Sequence, residues 1–391
     1  MGHSHKSGHG HGSPSFAFTT IDVPGATSTY VNGINGRGEV VGNYSNSSGT
    51  HGFIDDKGAF TTIDVPGATS TYVNGINAMG EVVGNYSDSS GTHGFIDDEG
   101  AFTTIDGSGA TSSLGTYPIA INAMGEVVGD YFNSSGAYGF TYEEGVFTTI
   151  APPDATSTYV NGINAMGEVI GDYFNSSGNH GFIYGKGTFT TIDEPGATYT
   201  FAESSNSRGQ VIGTYLEDSL QAHGFTYDKG VFTTVDVPGA TSTELHAINA
   251  KGKVLGSYSD TSGTHGFIYD KGTFTTIDVP GATPSLGTYP IAINGRGEVV
   301  GSYSDSSGDH GFVARPKCHH HPATPAAVTV ADLLTSQAGG VSMSDLLPGS
   351  PAIDAPSTQQ ENWAAPLEQP VGAQFAAIAR SEAAAAPWTL W

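Results

Sequence analysis

The chain has 391 residues, and its 38 acidic residues against 13 Lys plus Arg give a formal net charge of −25. Such a chain repels phosphate backbones and anionic lipid headgroups, which argues against nucleic-acid and membrane-surface binding. The single cysteine, Cys318, excludes an intrachain disulfide. No stretch approaches the roughly 20 apolar residues of a membrane span, and the first 30 residues lack the apolar segment of a secretory signal peptide.

Histidines cluster at both ends of the chain. Residues 1–15 form a Gly-, Ser- and His-rich arm, which we predict to be disordered. Imidazole and thiolate are preferred ligands of zinc, copper and nickel. The two ends together form a candidate divalent-metal site. The alternatives are two unstructured arms with adventitious metal affinity, or a leftover purification segment at the N-terminus. The candidate ligands are His3, His5, His9, His11, Cys318, His319, His320 and His321.

Residues 16–315 contain seven copies of one motif about 42 residues long. A phenylalanine marks the copies at Phe18, Phe60, Phe102, Phe147, Phe189, Phe232 and Phe274. A fixed period in this range indicates a repeat architecture. In one copy the strand-like runs are Tyr72–Asn77, Glu81–Tyr86, Phe95–Asp97 and Ala101–Asp106, separated by Gly-containing turns. Four short antiparallel strands in each of seven copies predict an all-β fold, a seven-bladed β-propeller.

The repeat series starts and stops inside one hairpin. The chain enters the series at Phe16–Asp22 and leaves it at His310–Ala314, which are the two halves of the same hairpin. A linear array would expose both halves as unpaired edges. We therefore predict a ring closed by pairing of Ser15–Asp22 with Gly311–Arg315; an open β-solenoid is the alternative.

Residues 316–391 differ in composition from the repeats. Glycine falls, Ala and Pro rise, and the motif disappears. Val328–Gln337 and Val371–Ala386 have modest helical character, and prolines interrupt the rest. We predict a partly helical, partly disordered C-terminal tail.

Two segments of the motif resemble the bacterial HAF repeat, usually described as a probable extracellular repeat. The best matches are Ile163–Gly171 with His180–Phe182 and Ile248–Gly252 with His265–Phe267. This chain has Gly where the family has Ala, for example at Gly266. The resemblance covers residues 16–315 and implies a propeller-like fold in a secreted or cell-surface protein. It implies no defined catalytic activity or substrate.

Two polar residues recur in the copies. The histidine is His51, His93, His180, His223, His265 and His310, with Tyr138 in its place in the third copy. The aspartate is Asp22, Asp64, Asp106, Asp193, Asp236 and Asp278. We predict structural roles for both, the imidazole binding a turn of its own blade and the carboxylate holding the turn that follows it.

Departures from the repeat mark the candidate ligand sites. The asparagine of Tyr-Val-Asn-Gly-Ile-Asn, expected near the central axis, is replaced by Glu203 and by His246 in adjacent copies. A carboxylate and an imidazole beside a channel suit acid–base chemistry or ligand binding. Drift in one degenerate copy is the simpler explanation of the two residues. Two copies also contain a three-residue insertion, Ser113–Pro118 and Ser285–Pro290, whose Tyr117 and Tyr289 predict a loop face suited to sugars.

These features predict a non-catalytic, secreted or cell-surface binding or scaffold module that recognises a glycan or a surface protein. Near-identical blades argue against the one asymmetric site that catalysis needs. The rival is a propeller enzyme, a glycan lyase or hydrolase working at Glu203 and His246. Divalent-metal binding through the termini and docking of a partner by the tail are further alternatives. We expect export without a cleaved signal; a cytoplasmic location is the alternative.

Overall fold

The computed structural model describes residues 16–107, 109–110, 115–217, 221–283 and 287–317. These residues contain 28 β-strands and no helix, as the all-β prediction requires. None of the described residues belongs to a helix that could span a membrane. The predictions for the histidine arm and for the tail beyond residue 317 lie outside the described residues.

The strands form seven antiparallel four-stranded units, numbered here in chain order. Units one and two contain β2 (Ser28–Ile34), β3 (Val40–Asn46), β4 (Gly49–Asp56), β5 (Ala59–Ile63), β6 (Ser70–Ile76), β7 (Val82–Asp88), β8 (Gly91–Asp98) and β9 (Ala101–Ile105). Units three and four contain β10 (Thr116–Ile121), β11 (Val127–Asn133), β12 (Gly136–Glu143), β13 (Val146–Ile150), β14 (Ser157–Ile163), β15 (Val169–Asn175), β16 (Gly178–Gly185) and β17 (Thr188–Ile192).

The remaining units continue the pattern. Units five and six contain β18 (Tyr199–Ser205), β19 (Val211–Leu216), β20 (Ala222–Asp228), β21 (Val231–Val235), β22 (Ser242–Ile248), β23 (Val254–Asp260), β24 (Gly263–Asp270) and β25 (Thr273–Ile277). Unit seven contains β26 (Thr288–Ile293), β27 (Val299–Asp305), β28 (Gly308–Pro316) and, from the start of the chain, β1 (Phe16–Ile21). One parallel pair, Asn179 with Tyr199, joins units four and five into an eight-stranded sheet.

The two ends of the repeat region pair with each other, as the split hairpin predicts. β1 runs antiparallel to β28 with Phe16 opposite Pro316 and Ile21 opposite Gly311. Unit seven thereby obtains the fourth strand that its own stretch of chain lacks. Each unit's first strand contacts the first strand of the next unit, and β26 contacts β2.

Apolar clusters lie between consecutive units. Each unit contributes one phenylalanine with 0% exposure: Phe53, Phe95, Phe140, Phe182, Phe225, Phe267 and Phe312. In the cluster between the first two units, Phe95 packs with Val41 of the preceding unit and with Ile63, Val73 and Val82. Burying one such ring contributes about 1.5–3 kcal/mol. The Phe of the His-Gly-Phe motif therefore holds neighbouring units together.

Candidate functional site

The first strand of every unit carries a β-bulge at a residue that varies among the copies. The pairing of the first and second strands skips one residue in each unit. The skipped residues are Asn32, Asn74, Ile119, Asn161, Glu203, His246 and Ile291. Because a bulge re-aims the extra side chain, this position is set apart from the regular ladder. The predicted candidates Glu203 and His246 both occupy it.

Where the bulge residue is asparagine, it links one unit to the next. The side-chain amides of Asn32 and Asn74 donate to the carbonyl oxygens of Val73 and Pro118, both at 2.7 Å. Asn161 donates to the Ala202 carbonyl at 2.9 Å. A glutamate lacks this donor. Because Glu203 occupies the asparagine position in unit five, this amide donor is missing at the boundary between units five and six.

Carboxylates accumulate around Glu203. Burial, with the nearby charge of Glu244 adding to it, raises the pKa of Glu203 to about 7. Burial and the charge of Glu203 raise the pKa of Asp172, in the preceding unit, well above its usual range. Asp130 is 1% exposed, and burial raises its pKa likewise. Burial therefore favours the protonated form of all three carboxyl groups.

His246 lies in the same electrostatic environment. Burial lowers its pKa, and the nearby Glu244 opposes that shift. Its Nε2 atom lies 2.9 Å from Ser257 Oγ. A neutral imidazole near Glu244 can accept or donate a proton or bind a ligand hydroxyl.

The residues Asp130, Asp172 and Ser257 were not predicted from the sequence. They share one position on the second strand, where two carboxylates accept backbone N–H groups of the next unit. Asp130 accepts from Val160 at 2.8 Å, and Asp172 accepts from Ala202 at 2.7 Å. The sequence did contain a signal for this position, because its residue changes from Asn to Asp, Thr and Ser along the repeats.

In six of the seven units, the residue two positions before the bulge is aromatic. This position is occupied by Tyr30, Tyr72, Tyr117, Tyr159, Phe201, Glu244 and Tyr289. All seven are partly or largely exposed, and Tyr289 is 39% exposed. The Tyr117 ring centroid lies 5.6 Å from that of Phe132, edge to face. The predicted residues Tyr117 and Tyr289 are thus members of a repeated aromatic position. The insertion residues 113–114 and 285–286 lie outside the described residues.

The two ends of the antiparallel units differ in charge. The loop end carries the Ser-Gly turns between second and third strands and the connections between units. The turn end carries the Asn-x-x-Gly turns and the turns between third and fourth strands. All Lys and Arg of the described residues lie at the turn end: Arg37, Lys57, Lys186, Arg208, Lys229, Lys251, Lys253, Lys271, Arg296, Arg315 and Lys317. The loop end is therefore acidic, with histidines as its only basic side chains among the described residues.

The repeated histidines each bind an aspartate at the loop end. The Nδ1–carboxylate distances are 2.7–3.0 Å in the pairs His51–Asp64, His93–Asp106, His180–Asp193, His223–Asp236, His265–Asp278 and His310–Asp22. The predicted structural role of the histidine agrees with these contacts. The aspartate, which we predicted to hold the following turn, has the histidine ring as its partner.

In five units a serine completes an Asp–His–Ser chain. Ser48 Oγ, for example, lies 2.9 Å from His51 Nε2 and donates to Asn46 Oδ1 at 2.6 Å. A hydrolase triad has the same order, but its serine proton passes to the histidine. Here the serine donates to its own turn, so the network suits holding the hairpin and not nucleophilic attack.

The described residues contain no group of three or more His, Cys, Asp or Glu arranged to hold a metal ion. The predicted ligands, from His3 to His11 and from Cys318 to His321, lie outside the described residues. Zinc, copper or nickel binding by the termini stays a prediction.

No family model and no curated protein matches the chain. Among solved structures, the chain is similar to the β-propeller domain of the Trilobed protease from Pyrococcus furiosus, with a TM-score of 0.50 and 12% identity over 77% of this chain and 99% of that chain. The fold is a β-propeller. A puromycin-hydrolyzing peptidase of Mycobacterium tuberculosis gives a TM-score of 0.54 at 12% identity, over 78% of this chain and 54% of that chain. At such identities the likeness concerns the fold alone.

Proposed function

We propose that the seven units close into a seven-bladed propeller. The pairing of β1 with β28 supports closure, as do the first-strand contacts that run from β2 to β26 and back to β2. A hydrogen bond from the Asn294 side chain to the Asn35 carbonyl, 3.2 Å long, links the last unit to the first in the same way that Asn35 links to Asn77.

We further propose that the protein is a non-catalytic binding module whose ligand is a glycan. The observation that carries this proposal is the partly exposed aromatic position on the first strands, interrupted by Glu244 and followed by Glu203 and His246. In the proposed ring these strands surround the axis, so the aromatic residues lie at the loop-end mouth of the channel. Flat apolar faces beside a few polar groups are typical of ligand sites. Sugar rings present both the apolar faces and the hydroxyls that such a site needs.

The charge of this region restricts the glycan. Glu244, and Glu203 above its pKa of about 7, place negative charge here, whereas the Lys and Arg side chains of the described residues lie at the opposite end. Uronic or sialic acid groups would meet repulsion there. Neutral or amine-bearing sugars fit, since an ammonium group is attracted both to carboxylates and to aromatic faces.

A glycan array with neutral, amine-bearing and acidic sugars tests the proposal on the full chain. We expect binding of the first two classes, lost at least tenfold in Tyr117→Ser/Tyr289→Ser and in Glu203→Gln. Glu144→Gln, an exposed substitution at the turn end, is the matched control and should bind as the parent does. Preference for acidic glycans, or binding indifferent to these substitutions, would refute the proposed site.

An enzyme at the same place is the second candidate, because the pKa of Glu203 near 7 suits a general acid or base. Incubation with the bound glycans, followed by assays for new reducing ends and unsaturated products, separates the two. Turnover that is abolished in both Glu203→Gln and His246→Gln would replace binding by catalysis.

We also propose that the repeats belong to the HAF type and that the protein is exported. Support comes from the motif, the acidity and the Ala-rich tail. Cell fractionation with and without residues 330–391 tests this, and retention inside the cell in both cases would contradict export.

A further inference from the structure

The third residue of each Asn-x-x-Gly turn is either methionine or a cation, and the two types lie in separate arcs of the turn end. In units two, three and four it is methionine: Met79, Met124 and Met166. In units five, six, seven and one it is cationic: Arg208, Lys251, Arg296 and Arg37. Each type occupies consecutive units, since unit one follows unit seven through the Asn294–Asn35 hydrogen bond. The turn end therefore has a methionine arc and a cationic arc.

Contacts between the turns make each arc continuous. The Asn77 amide donates to the Asn122 carbonyl at 3.1 Å, and the Asn249 amide donates to the Asn294 carbonyl at the same distance. The Arg37 guanidinium covers the turn glycine of the next unit, Gly80, so closely that a Cβ there would collide with it. Side chains at this position thus lean from one unit onto the next.

The methionine arc is a largely exposed apolar part of the turn end, as are Val146 and Val231 at its outer turns. Met79, Met124 and Met166 are 59%, 62% and 50% exposed. Scattered single apolar residues are normal on a surface, but three at one repeated position in consecutive units form a patch. Flexible, polarizable methionines adapt to the shape of an apolar partner. A rimmed apolar patch of this kind marks an interaction surface.

The cationic arc leads into a groove between units seven and one. The groove has a volume of about 520 Å³, and Arg37, Lys57, Arg296 and Arg315 line it together with Glu298 and Asp55. Glu298 pairs with Arg296 at 2.7 Å and with Arg315 at 3.3 Å. Asp22 also lines the groove, and Arg37 and Lys57 pair with Glu39 and Asp56 at 3.0 and 2.7 Å. In units five and six the position of Glu39 and Glu298 is occupied by Gln210 and Lys253. Positive charge is therefore most available to an anionic partner at Arg208 and Lys251.

We propose that the turn end docks an acidic segment of a partner polypeptide that also carries apolar side chains. The carboxylates of the segment lie on the cationic arc, and its apolar groups lie on the methionine arc. A chain of net charge −25 repels an extended anionic surface such as a bilayer. A short segment senses mainly the charges within a Debye length, roughly 8 Å at physiological salt. Local charge complementarity therefore favours a peptide over a membrane, and this inference is independent of the glycan proposal.

Fluorescence anisotropy with a labelled 12-residue peptide, Glu-Leu-Gly-Asp-Phe-Gly repeated twice, tests the proposal on the full chain. We expect saturable binding that weakens at least tenfold in Arg208→Gln/Lys251→Gln and in Met79→Ser/Met124→Ser/Met166→Ser, and that weakens with added salt. Lys186→Gln/Lys229→Gln loses the same charge from outer turns of the same end and should change affinity less than twofold. Thermal melts of each variant verify folding.

Two further peptides and two further measurements sharpen the test. A peptide with Lys in place of the acidic residues, or with Ser in place of Leu and Phe, should bind at least tenfold more weakly. Equal binding of either peptide would overturn the proposal. So would binding only to phosphatidylserine vesicles, or self-association that the methionine substitutions abolish, since these outcomes assign the surface to a membrane or to a second copy.

Discussion

His310 on β28 binds Asp22, which follows β1 and precedes the histidine by 288 positions, at a distance of 2.8 Å between Nδ1 and Oδ1. In the five other units that have the pair, it spans 13 positions. The contact that holds one hairpin elsewhere therefore joins the two ends of the repeat region here.

Removal of β1 should destabilise the protein. Deletion of residues 1–22 removes buried Ile21 and the ring of Phe18, whose centroid lies 6.2 Å from that of Phe312. It also leaves the edge of β28 unpaired. We expect the melting temperature to fall by at least about 5 °C. Deletion of residues 1–12 is the control, and equal melting temperatures for the two truncations would contradict ring closure.

The His310–Asp22 contact should stabilise the protein mainly at acidic pH. Burial alone would lower the pKa of His310, but the hydrogen bond and the charge of Asp22 raise this pKa above its usual value. A folded-state pKa raised above the unfolded value gives stability that is present below the unfolded pKa, about 6.5, and lost as pH rises through the folded pKa. The melting-temperature difference between the parent and His310→Gln should be larger at pH 5.5 than at pH 8.5. A difference that does not change with pH would assign the contact no ionic contribution.

The Glu203 side chain should destabilise the protein at alkaline pH. Its folded-state pKa of about 7 lies above that of an unfolded glutamate, about 4.3, so the charged side chain destabilises the fold increasingly as pH rises through this window. Glu203→Gln should match the parent near pH 4 and exceed it in free energy of unfolding by about 1–3 kcal/mol at pH 8. Urea denaturation at both values measures this, with Glu144→Gln as control. A parent that remains the more stable at pH 8 would show that the carboxylate is favourably paired.

The buried phenylalanines should dominate the packing between units. Phe182 is 0% exposed, so Phe182→Ala should lower the free energy of unfolding by about 3–5 kcal/mol through lost burial and the cavity left behind. Phe189, partly exposed on the outer strand of the same unit, provides the matched control, and Phe189→Ala should cost less than half as much. Equal losses in urea titrations would mean that the clusters are not the main link between units.

Much of the candidate site could be anticipated because each unit repeats one local pattern. The variable position holding Glu203 and His246 was visible as a break in the asparagine series. The pairing of histidine with aspartate was not visible, because both residues suit turns equally well and only the antiparallel register brings them together. Asp172 belongs to the preceding unit, so the effect of the Glu203 charge on its pKa depends on packing between units.

The sequence by itself determined the period, the four strands of each unit, the positions of the turns and the divided hairpin. These follow from local chemistry: alternating β-branched and aromatic residues form strands, and glycines at fixed spacing end them. Only the tertiary structure decided where the bulge falls, which units meet, that the cations gather at one end, and that Glu203 and Asp172 of consecutive units interact. Apart from the bulge, those relations join residues of different units, such as Asp172 and Ala202, which are 30 positions apart. They arise from the stacking of whole units, which no local pattern encodes.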